Sequence, residues 1–311
     1  MSLLSHYALF ALETFTFVVA FLILVAGVLS IANKPKQKFK IKSLNRIHDD
    51  VKTLMSKEIL GEKKQKSKKD KVKKPSLFVI DFNGDVKASE VQQLREEISA
   101  ILSIATKKDE VVVRLESPGG TVNGYGLAAA QLQRLREKSI PLTVCIDKVA
   151  ASGGYLMACV AEKIIAAPFS IIGSIGVAAQ LPNFYRLLKK NDIDVELLTA
   201  GEYKRTLTMF TENTKHAREK VQADIELIHE RFKNYVLTNR DQLDIDKIST
   251  GEHWLAVDAF DLKLVDLLQT SDDYLNDKMQ THNSFLITIK GKQKLADKLF
   301  KPALKLFHPW A

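Results

Sequence analysis

Short apolar runs alternate with longer segments of helical periodicity through the middle of the chain. The runs are brief and rich in β-branched residues, which is typical of buried strands, whereas leucine, isoleucine and alanine recur at helical spacing between them. The pattern predicts strands at 77–82, 111–115, 142–146 and 163–166, and helices at 89–104, 125–138 and 152–161. Strands alternating with helices of this length favour an α/β fold with a parallel sheet and crossover helices.

Two further elements are predicted beyond this alternation. The apolar residues of 194–198 indicate another strand, and a long amphipathic helix is predicted from Asn213 to Asn239. The apolar positions of that helix share one face, which we expect to pack against the sheet or a neighbouring subunit. They are Val221, Ile225, Ile228, Phe232 and Val236.

The N-terminal region carries an apolar run of 18 residues from Phe15 to Ala32, extended beyond Glu13 by Tyr7–Leu12. A helix of that length can cross a bilayer core of about 30 Å. The alternative is a cleaved signal peptide, with Ser30 and Ala32 as a small-residue cleavage site. We expect an uncleaved single-pass anchor in residues 7–32, because the basic N-terminal region of a signal peptide is missing.

The net charge of +9 over 311 residues is concentrated in one segment. Residues 33–74 carry fifteen lysines and Arg46 against five acidic residues, so this segment holds +11 and the remainder −2. No aromatic residue lies between 61 and 74, which argues against nucleic-acid binding through base stacking. We expect a flexible linker or a segment that lies on anionic lipid.

The composition shifts divide the chain into four expected parts. An anchor is followed by a lysine-rich linker, a catalytic domain and a C-terminal extension that packs on the domain or on a neighbouring subunit. Their expected bounds are 1–32, 33–74, 75–270 and 271–311.

Ser152 is a candidate nucleophile because it stands between the strand 142–146 and the helix that follows. The positive end of a helix lies beside such a residue, and Gly153 and Gly154 allow a substrate backbone to approach closely. The amide of Gly153 could donate to a developing oxyanion. The alternative interpretation is a serine that caps the helix, followed by glycines that pack it on the sheet.

The loop Ser117-Pro118-Gly119-Gly120 follows the strand 110–116 and offers consecutive backbone amides. Pro118 ends a ladder and the glycines accept unusual dihedral angles, so the loop could direct an amide to the same point as Gly153. An ordinary strand-ending turn is the alternative.

Lys204, in Gly201-Glu202-Tyr203-Lys204-Arg205, is a candidate general base, because no histidine lies in any of the motif segments. A lysine acts as a base near neutral pH only if its pKa falls by about three units from about 10.4. Ser174 could accept from the charged amine and donate to the neutral one. The alternative is a solvated surface lysine.

The order and spacing of four motifs resemble the signal peptide peptidase A group of serine peptidases, peptidase family S49, over residues 77–268. The motifs are Ser-Pro-Gly-Gly at 117–120, Ala-Ser-Gly-Gly-Tyr at 151–155, Gly-Ser-Ile-Gly-Val at 173–177 and Gly-Glu-Tyr-Lys-Arg at 201–205. The resemblance implies a ClpP/crotonase-like superhelix of strand-strand-helix units, preceded here by the transmembrane helix.

The same resemblance implies the roles of the site residues. Ser152 would be the nucleophile, Lys204 the general base and Ser174 the residue that positions the lysine. Gly120 and Gly153, with Gly119 in the same loop, would form the oxyanion hole. The chain lacks the tandem repeat of longer family members, so we expect a homo-oligomer, in which the dyad could form within or between subunits.

The C-terminal signature of the family is only partly present. Gly251, Trp254 and Asp266 fall where it expects them, but Ala256 and Lys263 stand where glycines are common. The departure concerns the local backbone of that region.

The implied function is a membrane-anchored serine endopeptidase that hydrolyses apolar peptides, such as signal-peptide remnants or misfolded membrane-protein fragments, through an acyl-enzyme. Two alternatives from other classes are a non-catalytic membrane scaffold and a crotonase-type acyl-CoA enzyme, which shares the paired-amide oxyanion hole.

The expected location is the bacterial inner membrane. Lysines C-terminal to the span favour a cytoplasmic catalytic domain, whereas the resemblance implies a periplasmic one. No metal or organic cofactor is expected, because no cluster of histidine, cysteine and carboxylate has ligand spacing. Cys145 and Cys159 are interpreted as small buried apolar residues, not as a disulfide.

Overall fold

The computed structural model describes residues 3–32, 38–61 and 74–290. The chain divides into a large unit from Lys40 to Thr288 and a smaller unit formed by the flanking residues. The smaller unit contains helix α1, Leu3–Ala32. Considering only the described residues, no helix offers an apolar stretch long enough to cross a membrane.

The large unit alternates strands and helices along most of its length. The strands are β1 Lys38–Ser43, β2 Ser76–Asn83, β3 Glu110–Glu116, β4 Leu142–Ile146, β5 Val149–Ala151, β6 Lys163–Ala166, β7 Ile171–Gly173, β8 His253–Leu255, β9 Leu267–Leu268 and β10 Asn283–Lys290. The helices are α2 Leu44–Leu60, α3 Val91–Leu102, α4 Val122–Glu137, α5 Gly153–Ala158, α6 Tyr185–Lys190, α7 Lys215–Asn239, α8 Ile245–Ile248, α9 Ala256–Asp261 and α10 Ser271–Thr281.

The strands form a mixed α/β architecture with two sheets. The larger sheet has seven strands in the order β1-β10-β2-β3-β4-β6-β9, and from β10 to β9 every neighbouring pair is parallel. The smaller sheet has the order β5-β7-β8, in which β5 pairs β7 in parallel and β7 pairs β8 antiparallel.

The central strands β2, β3 and β4 are covered on both faces, which explains why they are apolar almost throughout. Alternate residues of β2 point to opposite sides, so that Phe78 and Ile80 join one core and Leu77 and Val79 the other. The first core includes side chains of α3, α4 and α5. The second and smaller core includes Tyr274 and Leu275 of α10.

The predicted alternation of strands and helices is confirmed. The strands predicted at 142–146 and 163–166 coincide with β4 and β6. The helix boundaries differ from the predicted ones by a few residues. Helix α4 begins earlier than predicted, and α5 ends at Ala158. The long helix α7 begins at Lys215, and its predicted apolar face is half-buried until Val236, which is fully buried.

The strand predicted at 194–198 is wrong. These residues are irregular and exposed, and within the described chain no strand pairs with them. Apolar and β-branched composition favours a strand only where a partner completes the backbone hydrogen bonds.

The expected linker also contains regular structure. Residues 38–60 form β1 and α2, with Ser43 capping the helix by accepting from the amide of Arg46 at 3.3 Å. Gly61, in the left-handed conformation with φ of 65°, ends it. Residues 62–73 of the expected linker lie outside the described residues.

The C-terminal boundary differs from the expected one at residue 270. β10 inserts between β1 and β2, and its Asn283 pairs with Ser76. The sheet therefore needs residues up to β10, and α10 packs on its face.

A buried carboxylate joins α10 to the sheet. Glu110 of β3 accepts hydrogen bonds from Thr143 at 2.8 Å, Tyr274 at 2.5 Å and Lys278 at 2.5 Å. Its side chain is desolvated, which opposes ionisation, but the hydrogen bonds from Lys278, Tyr274 and Thr143 outweigh that effect and lower the pKa of Glu110.

We expect Glu110→Gln to reduce the free energy of unfolding by about 1–3 kcal/mol at neutral pH, because charged acceptors make the stronger hydrogen bonds. The pKa of Glu110 is lower in the folded chain than the ordinary 4.5, so the wild type should lose this contribution as pH falls below that value. Denaturant unfolding of both proteins across the acid range would measure their free energies of unfolding. The difference between wild type and variant should become smaller as the pH falls. The matched control is Glu116→Gln on the same strand, whose exposed pair with Lys148 should contribute little.

Candidate active site

Ser152 lies at the junction of β5 and α5 with φ of 51° and ψ of −118°. A positive φ is costly for a residue with a side chain, and its neighbours hold it there. The amide of Ser152 donates to the carbonyl of Gly173 at 2.8 Å, and the Ser152 carbonyl accepts from Leu156 at 3.0 Å. The half-buried hydroxyl makes no capping hydrogen bond to α5.

The two glycines after Ser152 are required by close packing. A Cβ on Gly153 would lie 2.4 Å from the ring of Tyr125, and one on Gly154 would lie 2.5 Å from the carbonyl oxygen of Ser117. Only glycine therefore allows α5 to begin against α4 and the loop after β3.

The loop 117–120 is attached to β5 by a short parallel bridge. The amide of Ser117 donates to Val149 at 2.8 Å, and the amide of Ala151 donates to the Ser117 carbonyl at 3.0 Å. Gly119 consequently packs on the turn at Ser152, because a Cβ on Gly119 would lie 2.8 Å from the amide nitrogen of Gly153.

The backbone amides of Gly119, Gly120 and Gly153 differ in whether they donate a hydrogen bond within the structure. Gly119 donates to the hydroxyl of Ser117 at 3.1 Å. Among the described residues, the amides of Gly120 and Gly153 have no acceptor. These two backbone amides are therefore free to donate a hydrogen bond to a ligand.

Ser174 occupies the position beside Ser152 in the smaller sheet. Ala151 pairs with Gly173 in parallel register, so the two serines follow paired residues. Ser174 has φ of 53°, and its amide donates to the carbonyl of Glu252 at 2.6 Å. The ring of Trp254 packs on Gly173, where a Cβ would lie 2.7 Å from it.

Lys204 lies on a different part of the chain, an arm between β7 and α7 that we define as residues 178–205. No residue of this arm is buried. It is held by local contacts, such as the side-chain amide of Asn183 to the carbonyls of Thr208 and Thr211 at 3.0 Å each. Over the described ranges, no hydrogen bond joins Lys204 to Ser152 or Ser174.

Two sequence models cover nearly the whole chain. The model described as "Peptidase family S49 N-terminal" matches residues 2–132, and "Peptidase family S49" matches residues 134–284. The chain belongs to peptidase family S49. The resemblance of its four motifs to that family is thereby confirmed.

Similar proteins carry protease names. "Probable protease SohB" of Haemophilus influenzae is 45% identical, covering 97% of this chain and 93% of the relative. The protein of the same name in Buchnera aphidicola subsp. Schlechtendalia chinensis is 49% identical over 88% of this chain and 99% of the relative. Family membership and these names support a serine peptidase.

Among solved structures, the chain resembles the "1510-N membrane-bound stomatin-specific protease K138A mutant in complex with a substrate peptide". The match has a TM-score of 0.44 and 13% identity, over 75% of this chain and 99% of that chain.

Lys263, the residue for which the sequence analysis expected a departure from the family signature, has a φ of 62°. Its carbonyl accepts from the guanidinium of Arg240 at 2.9 Å, and Arg240 also pairs with Asp266 at 2.6 Å. The buried ion pair therefore holds the turn in a left-handed conformation that a lysine adopts only with support.

A buried chain of hydroxyls lies behind the site and was not predicted from the sequence. The Gly119 amide donates to Ser117, whose hydroxyl lies 2.5 Å from that of Tyr125, and Tyr125 donates to the carbonyl of Asp85 at 2.8 Å. Ser117 and Tyr125 are both fully buried, and burial raises the pKa of Tyr125. The sequence signal that could have indicated it is Tyr125, a large aromatic side chain between small residues in the first turn of α4.

The hydroxyl chain fixes the amide of Gly119, the residue immediately before Gly120. We expect Tyr125→Phe to lower kcat for a fluorogenic peptide about 10- to 100-fold with little change in KM, because a misdirected amide weakens only transition-state contacts. Steady-state kinetics of the purified chain would measure the split between kcat and KM.

A matched control is Tyr274→Phe, which removes a buried hydroxyl bonded to Glu110 on the other face of the sheet. This control should lower stability and leave kcat unchanged. Equal effects of the two substitutions on kcat would contradict a positioning role for Tyr125.

Proposed function

We propose that this S49 chain is a membrane-anchored serine endopeptidase that hydrolyses apolar peptides through an acyl-enzyme on Ser152. The observation that carries the proposal is the turn at Ser152, on which Gly119 packs, together with the unengaged amides of Gly153 and of Gly120, the residue after Gly119. A tetrahedral intermediate of acyl transfer needs that combination of a nucleophile and paired donors.

In the proposed reaction, the Ser152 hydroxyl attacks the scissile carbonyl while Lys204 takes its proton. The amides of Gly120 and Gly153 donate to the oxyanion. Collapse of the intermediate releases the amine, which receives the proton from Lys204, and leaves an ester on Ser152. Lys204 then deprotonates a water that hydrolyses the ester and regenerates the serine.

We propose that Lys204 reaches Ser152 of a neighbouring subunit in a homo-oligomer. The arm 178–205 supports this proposal, because none of its residues is buried and it carries large apolar side chains. Leu198 is 91% exposed, Ile193 51% and Leu197 45%. A neighbour that covers these residues would also desolvate the lysine, which favours the neutral amine that a base requires.

The remaining parts of the proposal concern the fold class and the anchor. The succession β4-β5-α5 is a strand-strand-helix unit, which supports a ClpP/crotonase-like fold. The single-pass anchor in a bacterial inner membrane is proposed from the sequence alone, on the apolar residues between 7 and 32. An enzyme held at the membrane meets apolar peptides such as signal-peptide remnants and misfolded membrane-protein fragments.

The active serine is tested with a fluorophosphonate on the full-length protein in detergent. We expect a single adduct on Ser152 of the wild type, and none in Ser152→Ala or Lys204→Ala, because an unactivated hydroxyl reacts slowly. Lys190→Ala, on the same exposed arm, is the matched control and should label normally. A folded wild-type oligomer without an adduct would favour the scaffold function instead.

The subunit origin of the dyad is tested by mixing the two inactive variants, Ser152→Ala and Lys204→Ala, after dissociation and reassembly. A dyad between subunits should restore about one quarter of wild-type activity in randomly mixed rings, because each site needs one intact residue from each of two neighbours. A dyad within one subunit leaves the mixture inactive. Peptide hydrolysis of mixed and unmixed samples distinguishes the two arrangements.

A further inference from the structure

Helix α2 carries an apolar stripe that the large unit leaves uncovered. Its 17 residues extend over about 26 Å at the usual rise of 1.5 Å per residue, and none of them is buried. The stripe consists of side chains three and four residues apart, which share one helix face. Its members are Ile47 (46% exposed), Val51 (55%), Leu54 (59%), Met55 (53%) and Ile59 (66%).

The first turn of α2 is fixed by hydrogen bonds to the end of α10 and the start of β10. These contacts set the direction in which the remainder of the helix extends. The side-chain amide of Asn45 donates to the carbonyls of Met279 and His282 at 3.0 Å each, and its oxygen accepts from the amide of Ser284 at 2.6 Å. Leu44 packs on the smaller core. The helix is therefore held at one end, and its apolar stripe faces solvent.

The charges around α2 are strongly positive on both sides of the helix in sequence. Within α2 itself three basic and three acidic residues balance. Before it, Lys38, Lys40 and Lys42 alternate with Phe39 and Ile41, which are 49% and 63% exposed. After it, the sequence 62–74 has eight lysines and two acidic residues.

We propose that the apolar stripe of α2 inserts into the headgroup region of an anionic lipid bilayer, with the flanking lysines bound to its phosphates. An amphipathic helix of this length binds an interface through its apolar face, and nearby lysines are attracted to an anionic lipid surface. Lysine flanks favour lipid over a second copy of this chain, whose own α2 would bring the same positive flanks. The inference does not depend on the peptidase chemistry.

The experiment compares two single-cysteine positions in the full-length protein reconstituted into vesicles. Met55→Cys lies on the stripe, and Lys57→Cys, two residues on, lies on the opposite side of the helix. Both are labelled with an environment-sensitive maleimide. The native Cys145 and Cys159 are buried, and burial raises the pKa of each thiol to about 12, so they should not compete for the label.

In vesicles with phosphatidylglycerol we expect the Met55 label to shift to the blue and to be quenched by nitroxide lipids roughly twofold or more above the Lys57 label. Vesicles of phosphatidylcholine alone, or high salt, should abolish the difference, because the attraction of the lysines is screened or absent. Equal quenching at both positions in anionic vesicles would overturn the proposal. Cross-linking of the Met55→Cys side chain to its own copy in anionic vesicles would also overturn it, since a second copy would then cover the stripe.

Leu54→Asp provides a second test that does not require labelling of the stripe. With the label at Lys52→Cys, on the border of the stripe, this substitution should remove the quenching by anionic vesicles while α2 stays anchored by Asn45. Fluorophosphonate labelling of Ser152 reports separately on the peptidase site. Loss of lipid contact with normal labelling, or the reverse, shows which of the two proposals fails.

Discussion

The candidate site depends on two backbone hydrogen bonds that join Ser117 to β5. They form an isolated parallel bridge between Ser117 and Ala150 and so bring the loop after β3 beside the turn that carries Ser152. Without that bridge, nothing would bring Gly119 and Gly120, which follow β3, close to Gly153, the first residue of α5. The paired amides of the site arise from the meeting of these two chain segments.

The close approach at this junction imposes its own requirements on the residues. Glycine at 153 and 154 leaves room for the ring of Tyr125 and for the carbonyl of Ser117. The polar atoms enclosed there must then be satisfied, because an unpaired buried hydroxyl or amide costs about 1–3 kcal/mol. The hydroxyls of Ser117 and Tyr125 satisfy each other and the amide of Gly119, and they end on the carbonyl of Asp85.

Two exposed apolar surfaces show that the isolated chain leaves contacts unmade. The arm 178–205 carries Lys204 and has no buried residue, so we propose a neighbouring subunit as its cover. The stripe of α2 lies between lysine-rich segments, and we propose lipid as its cover. The difference in charge separates the two assignments, because the arm carries five basic and four acidic residues, whereas residues 33–74 carry a net charge of +11.

The sequence alone was sufficient for the alternation of strands and helices, because hydrophobic periodicity and turn residues act locally. It also identified the four motifs and, through them, the family. Partners distant in the chain were decided only by the tertiary structure. β10 reaches the sheet by pairing Asn283 with Ser76, and residues 194–198 remain irregular because nothing pairs with them. The hydroxyl chain of Ser117 and Tyr125 likewise depends on where α4 meets α5, since side chains find partners through space while periodicity describes only neighbours in sequence.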